Sequence, residues 1–190
     1  FNQKEVDELI FLDIDASKIG YEPNLELLKN IASECFMPLA YGGGIKSVKN
    51  AEDIISIGIE KIIVNTSVIK NPELIRNLSN TFGSQSIVAS VDIKKTFFGK
   101  YTIFSHAFEK KQNHDLLDYI NMVQDYGAGE IFINSVNLDG TMNGYDKRLL
   151  ELVLPQIKVP LVFCGGASDI NDIVNTAKIN KFIGLAAGSI

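Results

Sequence analysis

Hydrophobic and polar positions follow two different periods along this chain. Short, nearly continuous apolar runs rich in β-branched and aromatic residues alternate with stretches in which apolar residues recur every three or four positions. The short runs predict seven strands: Leu9 to Ile14, Pro38 to Tyr41, Lys61 to Val64, Ile87 to Val91, Glu130 to Val136, Val159 to Phe163 and Lys181 to Leu185. Helices are predicted between them, over Asn24 to Ser33, Val48 to Ile57, Pro72 to Leu78, Leu116 to Tyr126, Lys147 to Val153 and Ile170 to Lys178. Leu25, Leu28 and Ile31 set the helical spacing in the first of these; Gly58 stops the second and Pro72 opens the third. Apolar strands that alternate with helices imply a parallel sheet covered by helices. Lys94 to Ser105, with Gly99 between two β-rich runs, breaks the alternation and reads as an inserted hairpin.

The pattern also repeats. Glu8 and Glu130 lie 122 residues apart, as do Pro38-Leu39 and Pro160-Leu161, Gly43-Gly44 and Gly165-Gly166, and Asn65-Thr66 and Ala187-Gly188. Agreement of strand order with residue identity at one offset points to a duplicated half. The second half opens with a strand and a helix before Glu130, so the first should open likewise before Glu8. Restoring that strand gives eight. The expected fold is therefore an α/β TIM barrel, (β/α)8, with a twofold internal half-barrel repeat. The chain, 1–190, reads as one barrel domain truncated at both ends, without its first strand, most of its first helix and its last helix. Its chemistry belongs at the C-terminal ends of the strands.

Composition narrows the function. About a fifth of the 190 residues are charged, 46% are apolar and the net charge is −5. That balance fits a globular protein and argues against a nucleic-acid partner, which would call for a basic face. No apolar run approaches the ~20 residues of a membrane span, and no membrane partner is expected. Cys35 and Cys164 show no disulfide or metal spacing, which suits a reduced cytoplasm. His106 and His114 lack partners at zinc spacing, so no metal or other cofactor is expected.

Gly42-Gly43-Gly44 follows a strand end and precedes a helix. Such glycines let backbone N–H groups approach a phosphate, although the same sequence also suits a tight turn without a ligand. Asn65-Thr66 ends the adjacent strand and offers donors to the same spot, which favours the phosphate. The repeat places a second cradle at Gly165-Gly166 with Ala187-Gly188, and Asp139-Gly140-Thr141 lies on the loop beside it. Two equivalent anion sites on one barrel mouth suit a ligand with a phosphate at each end. Asp13, Asp15, Asp92 and Asp139 lie at or just past strand ends. Asp92 is the candidate for proton transfer; Asp13 and Asp139 read as structural or ligand-orienting. Glu8, Lys61 and Glu130 begin their strands, which places them on the opposite face. A solvated ring of charges and a charged gate both fit them.

These residues resemble a known family. Phe11-Leu12-Asp13-Ile14-Asp15-Ala16-Ser17, Gly42-Gly43-Gly44-Ile45, Val64-Asn65-Thr66, Phe82-Gly83-Ser84-Gln85, Asp139-Gly140-Thr141 with Gly144-Tyr145-Asp146, and Gly165-Gly166 are similar to the cyclase subunits of imidazole glycerol phosphate synthase. The Phe-Gly-Ser-Gln and Gly-Thr-x-x-Gly-Tyr-Asp stretches separate that family from its sister barrel, a sugar-phosphate isomerase. The resemblance implies that ammonia from a partner glutaminase, docked at the bottom face, passes through the barrel. It attacks a ribulosyl bisphosphate-type substrate, giving imidazole glycerol phosphate and an aminoimidazole carboxamide ribonucleotide in histidine biosynthesis. It implies acid–base work for Asp92, paired with an aspartate on the missing strand. It implies phosphate binding by Gly44, Asn65 and Thr66 at one end, and by Asp139, Gly140, Gly166, Ala187 and Gly188 at the other. It makes Glu8, Lys61 and Glu130 an ammonia gate.

The chain also departs from the family. Asn137 stands where an Asp is usual, Gly188 replaces a serine, and the loop from Lys110 to Asn113 lacks a Thr-Gly. Glu34-Cys35-Phe36-Met37-Pro38 and Met142 resemble a paralogous branch that accompanies surface-polysaccharide genes and supplies ammonia for amidating a sugar. That branch is the alternative reading, and a non-catalytic phosphosugar-binding barrel is a further one.

Overall fold

A computed structural model of the chain describes residues 6–105, 110–111 and 114–188. His106 and Asn113 therefore lie outside the described residues, as does Phe1. Strands β1 (Leu9–Leu12), β2 (Leu39–Gly42), β3 (Lys61–Val64), β4 (Ile87–Lys95), β7 (Glu130–Ser135), β8 (Leu161–Cys164) and β9 (Ile183–Ala186) are hydrogen-bonded neighbours in that order. β5 (Tyr101–Ser105) and β6 (Lys110–Lys111) branch off β4 as an antiparallel insertion. The seven expected strands are the seven on the main path, which gives the β/α architecture of the TIM-barrel class.

Two compact units divide the chain. The first runs to Ala89 and includes Tyr126–Gly129; the second comprises Ser90–Asp125 and the chain from Glu130 onward. In the first unit β1, β2, β3 and the start of β4 pair in parallel. Helices α2 (Leu25–Glu34), α3 (Val48–Ser56) and α5 (Glu73–Phe82) lie between them in sequence. Each helix begins where its sequence supplies a start signal. The Asn24 side chain accepts from the Leu27 N–H, Ser47 accepts from Asn50, and Pro72 precedes α5. Leu74, Ile75 and Leu78 form the buried stripe of α5. Tyr126 carries the Arg76 guanidinium over its ring at 4.3 Å, and Gly129 donates to the Ile87 carbonyl.

In the second unit β7, β8 and β9 pair in parallel. Helices α6 (Leu116–Asp125), α7 (Lys147–Val153) and α8 (Ile170–Ala177) follow the same logic. Leu116, Tyr119, Ile120 and Val123 give α6 its apolar stripe, while Asp146 and Asp169 cap α7 and α8. The duplicated pattern is a duplicated register. β1 pairs with β2 through Leu9↔Leu39 to Leu12↔Gly42, and β7 with β8 through Ile131↔Leu161 to Asn134↔Cys164. Each of those partners is displaced by the same 122 residues. The next pairing differs by one residue, Ala40↔Lys61 in the first unit against Leu161↔Ile183 in the second.

The structure departs from the sequence reading in several local details. β4 does not end at Asp92; it continues to Lys95 and becomes the first arm of the hairpin, with Ile93↔Ile103 and Lys95↔Tyr101 paired. Two short helices, α1 (Ala16–Ile19) and α4 (Thr66–Lys70), occupy segments read as loop or strand end. Helix α5 runs four residues past Leu78, to Phe82, because Gly83, with φ 84°, is the first residue to break its geometry.

Candidate functional site

The chemistry-bearing residues of the first unit gather where β1, β2 and β3 end. Gly43 and Gly44 have φ of 132° and 68°, and the backbone folds back on the β1 loop. A Cβ on Gly43 would lie 2.5 Å from the Asp13 carbonyl oxygen, and one on Gly44 would lie 2.8 Å from that of Tyr21. Only glycine permits both contacts. Asn65 and Thr66 follow β3, the neighbour of β2, and the Ser67 hydroxyl donates to the Ile45 carbonyl, tying the two loops together. Gly44 is therefore beside the loop that bears Asn65 and Thr66, as expected. Asp13 is committed within its own loop. Its Oδ1 accepts from the Ala16 N–H at 3.1 Å and from the Tyr21 hydroxyl at 2.7 Å. The Tyr21 hydroxyl is held up to about 12, mainly by that bond to a carboxylate.

In the second unit Gly165 and Gly166 repeat the motif, with φ of 100° and 96°. A Cβ on Gly165 would meet the Ser135 carbonyl oxygen at 2.6 Å, and Ser135 is the repeat equivalent of Asp13. A cavity of about 200 Å3 opens beside the turn. Asp139, Gly140, Gly166, Ala187 and Gly188 line it, together with Gly165, Ala167, Ala186 and Met142. All five residues read from the sequence as the second phosphate site thus share one cavity wall; Met142 was absent from that set. The loop after β7 is pinned over the strand ends. The Gly144 N–H donates to the Gly166 carbonyl at 2.7 Å, and the Tyr145 hydroxyl donates to the Ala186 carbonyl at 3.0 Å. Burial pushes the Tyr145 hydroxyl up to about 12, with Cys164 and Asp172 adding to the shift.

Asp92 sits on β4 between the buried residues Val91 and Ile93, with its own side chain partly exposed. The Asn134 Nδ2 donates to its Oδ1 at 3.2 Å. Asn134 pairs in register with Cys164, whose thiol is pushed up to about 11, first by burial and then by the charge of Asp139, with Asp92 adding to it. Gly165 counters with a backbone hydrogen bond. Such a thiol is protonated at neutral pH, in keeping with its reading as a buried structural residue. Nothing in the sequence signalled Asn134 as the partner of Asp92; it becomes visible only once the strand order is known.

At the other ends of the strands the Lys61 Nζ lies 2.7 Å from Glu8 Oε2, with both side chains about four-fifths buried. Glu8 Oε1 is buried without a hydrogen-bond partner. Glu130 opens β7 in the second unit and is 8% exposed. These three are therefore not a solvated ring. Among the described residues no group of three or more His, Cys, Asp or Glu side chains is placed to hold a metal, and no helix is long and apolar enough to cross a membrane.

Comparison with known proteins gives the same direction. A Pseudomonas aeruginosa protein provisionally named imidazole glycerol phosphate synthase subunit hisF2 is 44% identical over 190 residues, all of this chain and 76% of its own length. A Vibrio vulnificus protein provisionally named subunit hisF3 is 45% identical over 191 residues, again the whole of this chain and 74% of its own length. The imidazole glycerol phosphate synthase subunit HisF of Chlorobaculum tepidum is 37% identical over 173 residues, 91% of this chain and 68% of its own length. The profile of the histidine biosynthesis protein family matches residues 1–190, the full span over which the strands, the repeat and both glycine turns are laid out, and the chain belongs to that family.

Proposed function

We propose that the protein is the cyclase subunit of imidazole glycerol phosphate synthase. It takes ammonia from a glutaminase subunit and converts a ribulosyl bisphosphate-type substrate to imidazole glycerol phosphate and aminoimidazole carboxamide ribonucleotide. The observation that carries this reading is the cavity of the second unit. Its wall collects Gly166, Ala187 and Gly188, the 122-residue equivalents of Gly44, Asn65 and Thr66, together with Asp139 and Gly140 from the loop after β7. One phosphate-type cradle per half calls for a ligand with two phosphates. Asp92 takes the acid–base role in the cleavage and ring closure, and the Asn134 amide donates to its carboxylate and orients it. Addition, elimination and ring closure move protons without a net redox change, so these steps call for no cofactor. Glu8, Lys61 and Glu130 serve as the gate through which ammonia from the glutaminase enters. The cytoplasm, where two unbridged cysteines stay reduced, is the compartment that suits the protein.

The test is direct. The complete protein, given ammonium and the bisphosphate substrate, should form both products without any glutaminase. Substrate binding with no product favours the second reading, an ammonia-channelling subunit for sugar amidation. Asn137 and Gly188 support that reading, because a carboxylate and a hydroxyl usual in the cyclases are missing there.

A further inference from the structure

Met142 is the one non-glycine among the described residues with a positive φ, 54°. A left-handed backbone is unfavourable for an unbranched apolar side chain and better suited to Asn or Gly. Asn143 stands next in sequence, yet the left-handed conformation falls on the methionine. The loop leaves it little freedom. The Thr141 N–H and hydroxyl both donate to the Leu138 carbonyl, at 3.0 and 2.8 Å, and the Gly144 N–H is fixed to Gly166. Strain kept in place by its surroundings is a mark of function. Met142 is also half exposed and forms part of the second cavity's wall. Asp139 is the one charged residue in that wall. No lysine or arginine among the lining residues can select an anion by charge. The space, about 200 Å3, exceeds the roughly 150 Å3 of an apolar cavity that admits benzene. A phosphate group fills part of it, leaving room for the carbons that follow.

We infer that Met142 determines specificity in this cavity. Its thioether covers the first carbons of a phosphate ester, so the site prefers an ester to inorganic phosphate. The inference rests on reading the cavity as a phosphate subsite. A buried methylene is worth about fourfold in binding, so two covered carbons should give a preference on the order of tenfold.

The experiment titrates the complete protein with inorganic phosphate and with glycerol 3-phosphate. Binding is followed at the 13C-labelled methyl of Ala187, which shares the cavity wall and reports on this site alone. The unmutated protein should bind the ester about tenfold more tightly, with the Met142 methyl shifting as well. Met142→Gly, which relieves the backbone, should bring the ratio near one while inorganic phosphate affinity stays within about twofold. Met142→Leu should keep the preference. An undiminished preference in Met142→Gly overturns the inference and leaves the phosphate subsite standing. No shift of the Ala187 methyl with either probe overturns both.

Discussion

The side-chain amide of Asn137 faces both backbone groups of Lys95: its Oδ1 accepts from the Lys95 N–H at 2.6 Å, and its Nδ2 donates to the Lys95 carbonyl at 3.4 Å. It thereby mimics a strand residue and continues the contact begun where the Val136 N–H meets the Ile93 carbonyl. The aspartate usual at this position could keep the first bond but not the second, and would set a negative charge against a carbonyl oxygen. Asn137→Asp should therefore cost about 1 kcal/mol, the worth of one partly exposed hydrogen bond. At this chain length that is a fall in Tm of roughly 2–4 °C, measurable by thermal unfolding. A stability equal to or above that of the unmutated protein would show that the amide is not what holds the hairpin base.

That relationship also marks where sequence reasoning ran short. The glycine turns and the helix boundaries at Gly58 and Pro72 were legible because each depends on neighbours within a few residues. The repeat was legible because a duplicated register preserves residue identity at a fixed spacing. The contacts of Asn137 and Asn134 join residues 42 apart, across strands neighbouring in the sheet but not in the chain, and no local period announces them. The extension of β4 beyond Asp92 was hidden for a related reason. Asp92 looks like a strand-ending residue, and only the ladder of Lys94 and Lys95 with Thr102 and Tyr101 shows that the hairpin's first arm is the same strand. The five residues grouped from the sequence share one cavity wall, but Met142 was not among them, and its backbone conformation leaves no trace in its side-chain chemistry.

Gly166 and Gly140 separate two costs of replacing a left-handed glycine. Both have positive φ and both line the second cavity. A Cβ on Gly140 meets nothing within 4 Å, so Gly140→Ala carries only the backbone penalty, about 1 kcal/mol. A Cβ on Gly166 would lie 2.2 Å from the Gly144 carbonyl oxygen, a backbone atom that cannot yield without moving the loop. Gly166→Ala should cost more than 2 kcal/mol and release Gly144 from its 2.7 Å bond. Urea unfolding of the two variants measures the difference; equal midpoints would mean that the loop yields freely.

Replacing Lys61 takes from the mostly buried Glu8 carboxylate the ammonium it meets at 2.7 Å. Breaking a fully buried pair costs ~3–5 kcal/mol. With side chains about a fifth exposed, Lys61→Met should cost on the order of 2 kcal/mol. The double variant Glu8→Leu/Lys61→Met should recover most of that loss, because the Glu8 carboxylate is then no longer buried without its ammonium. In the complete synthase with its glutaminase, Lys61→Met should alter glutamine-dependent turnover while leaving ammonia-dependent turnover unchanged. Equal changes in both assays would remove the pair from the ammonia path.

The raised thiol of Cys164 sets a pH window. Its folded value, about 11, lies above the ~8.5 of an unfolded cysteine, so between those values the unfolded chain holds fewer protons than the native one. Stability from this group is complete below pH ~8.5 and is lost as pH rises toward 11. Tyr145, held up to about 12, extends the loss further into alkali. Unfolding free energies measured from pH 8 to 11 should fall more steeply in the unmutated protein than in Cys164→Ala. Alkylation of Cys164 at pH 8 should be slow in the native state and rapid in urea, with mass spectrometry reporting the site. Rapid native alkylation would mean that the thiol is more open than its surroundings indicate.

Asp92 carries the sharpest test of the proposed chemistry. Ring closure needs protons to move at atoms near the middle of a ligand held by its ends, and Asp92 is the acid on β4 whose carboxylate is already oriented, by the Asn134 amide at 3.2 Å. Asparagine at this position keeps the shape and can turn its own oxygen toward that donor, so the local structure should survive. What it loses is proton exchange. General acid–base assistance contributes about 10²–10⁴-fold to rate. Asp92→Asn in the complete protein should lower kcat by that factor with ammonia supplied directly, while ligand affinity changes little. Direct ammonia bypasses the glutaminase and the path through Glu8 and Lys61, so the loss would belong to the chemical step. Unchanged turnover would take Asp92 out of the mechanism. A complete lack of turnover in the unmutated protein, with ligand still bound, would instead assign the chain to ammonia delivery for sugar amidation, where this carboxylate has no ring to close.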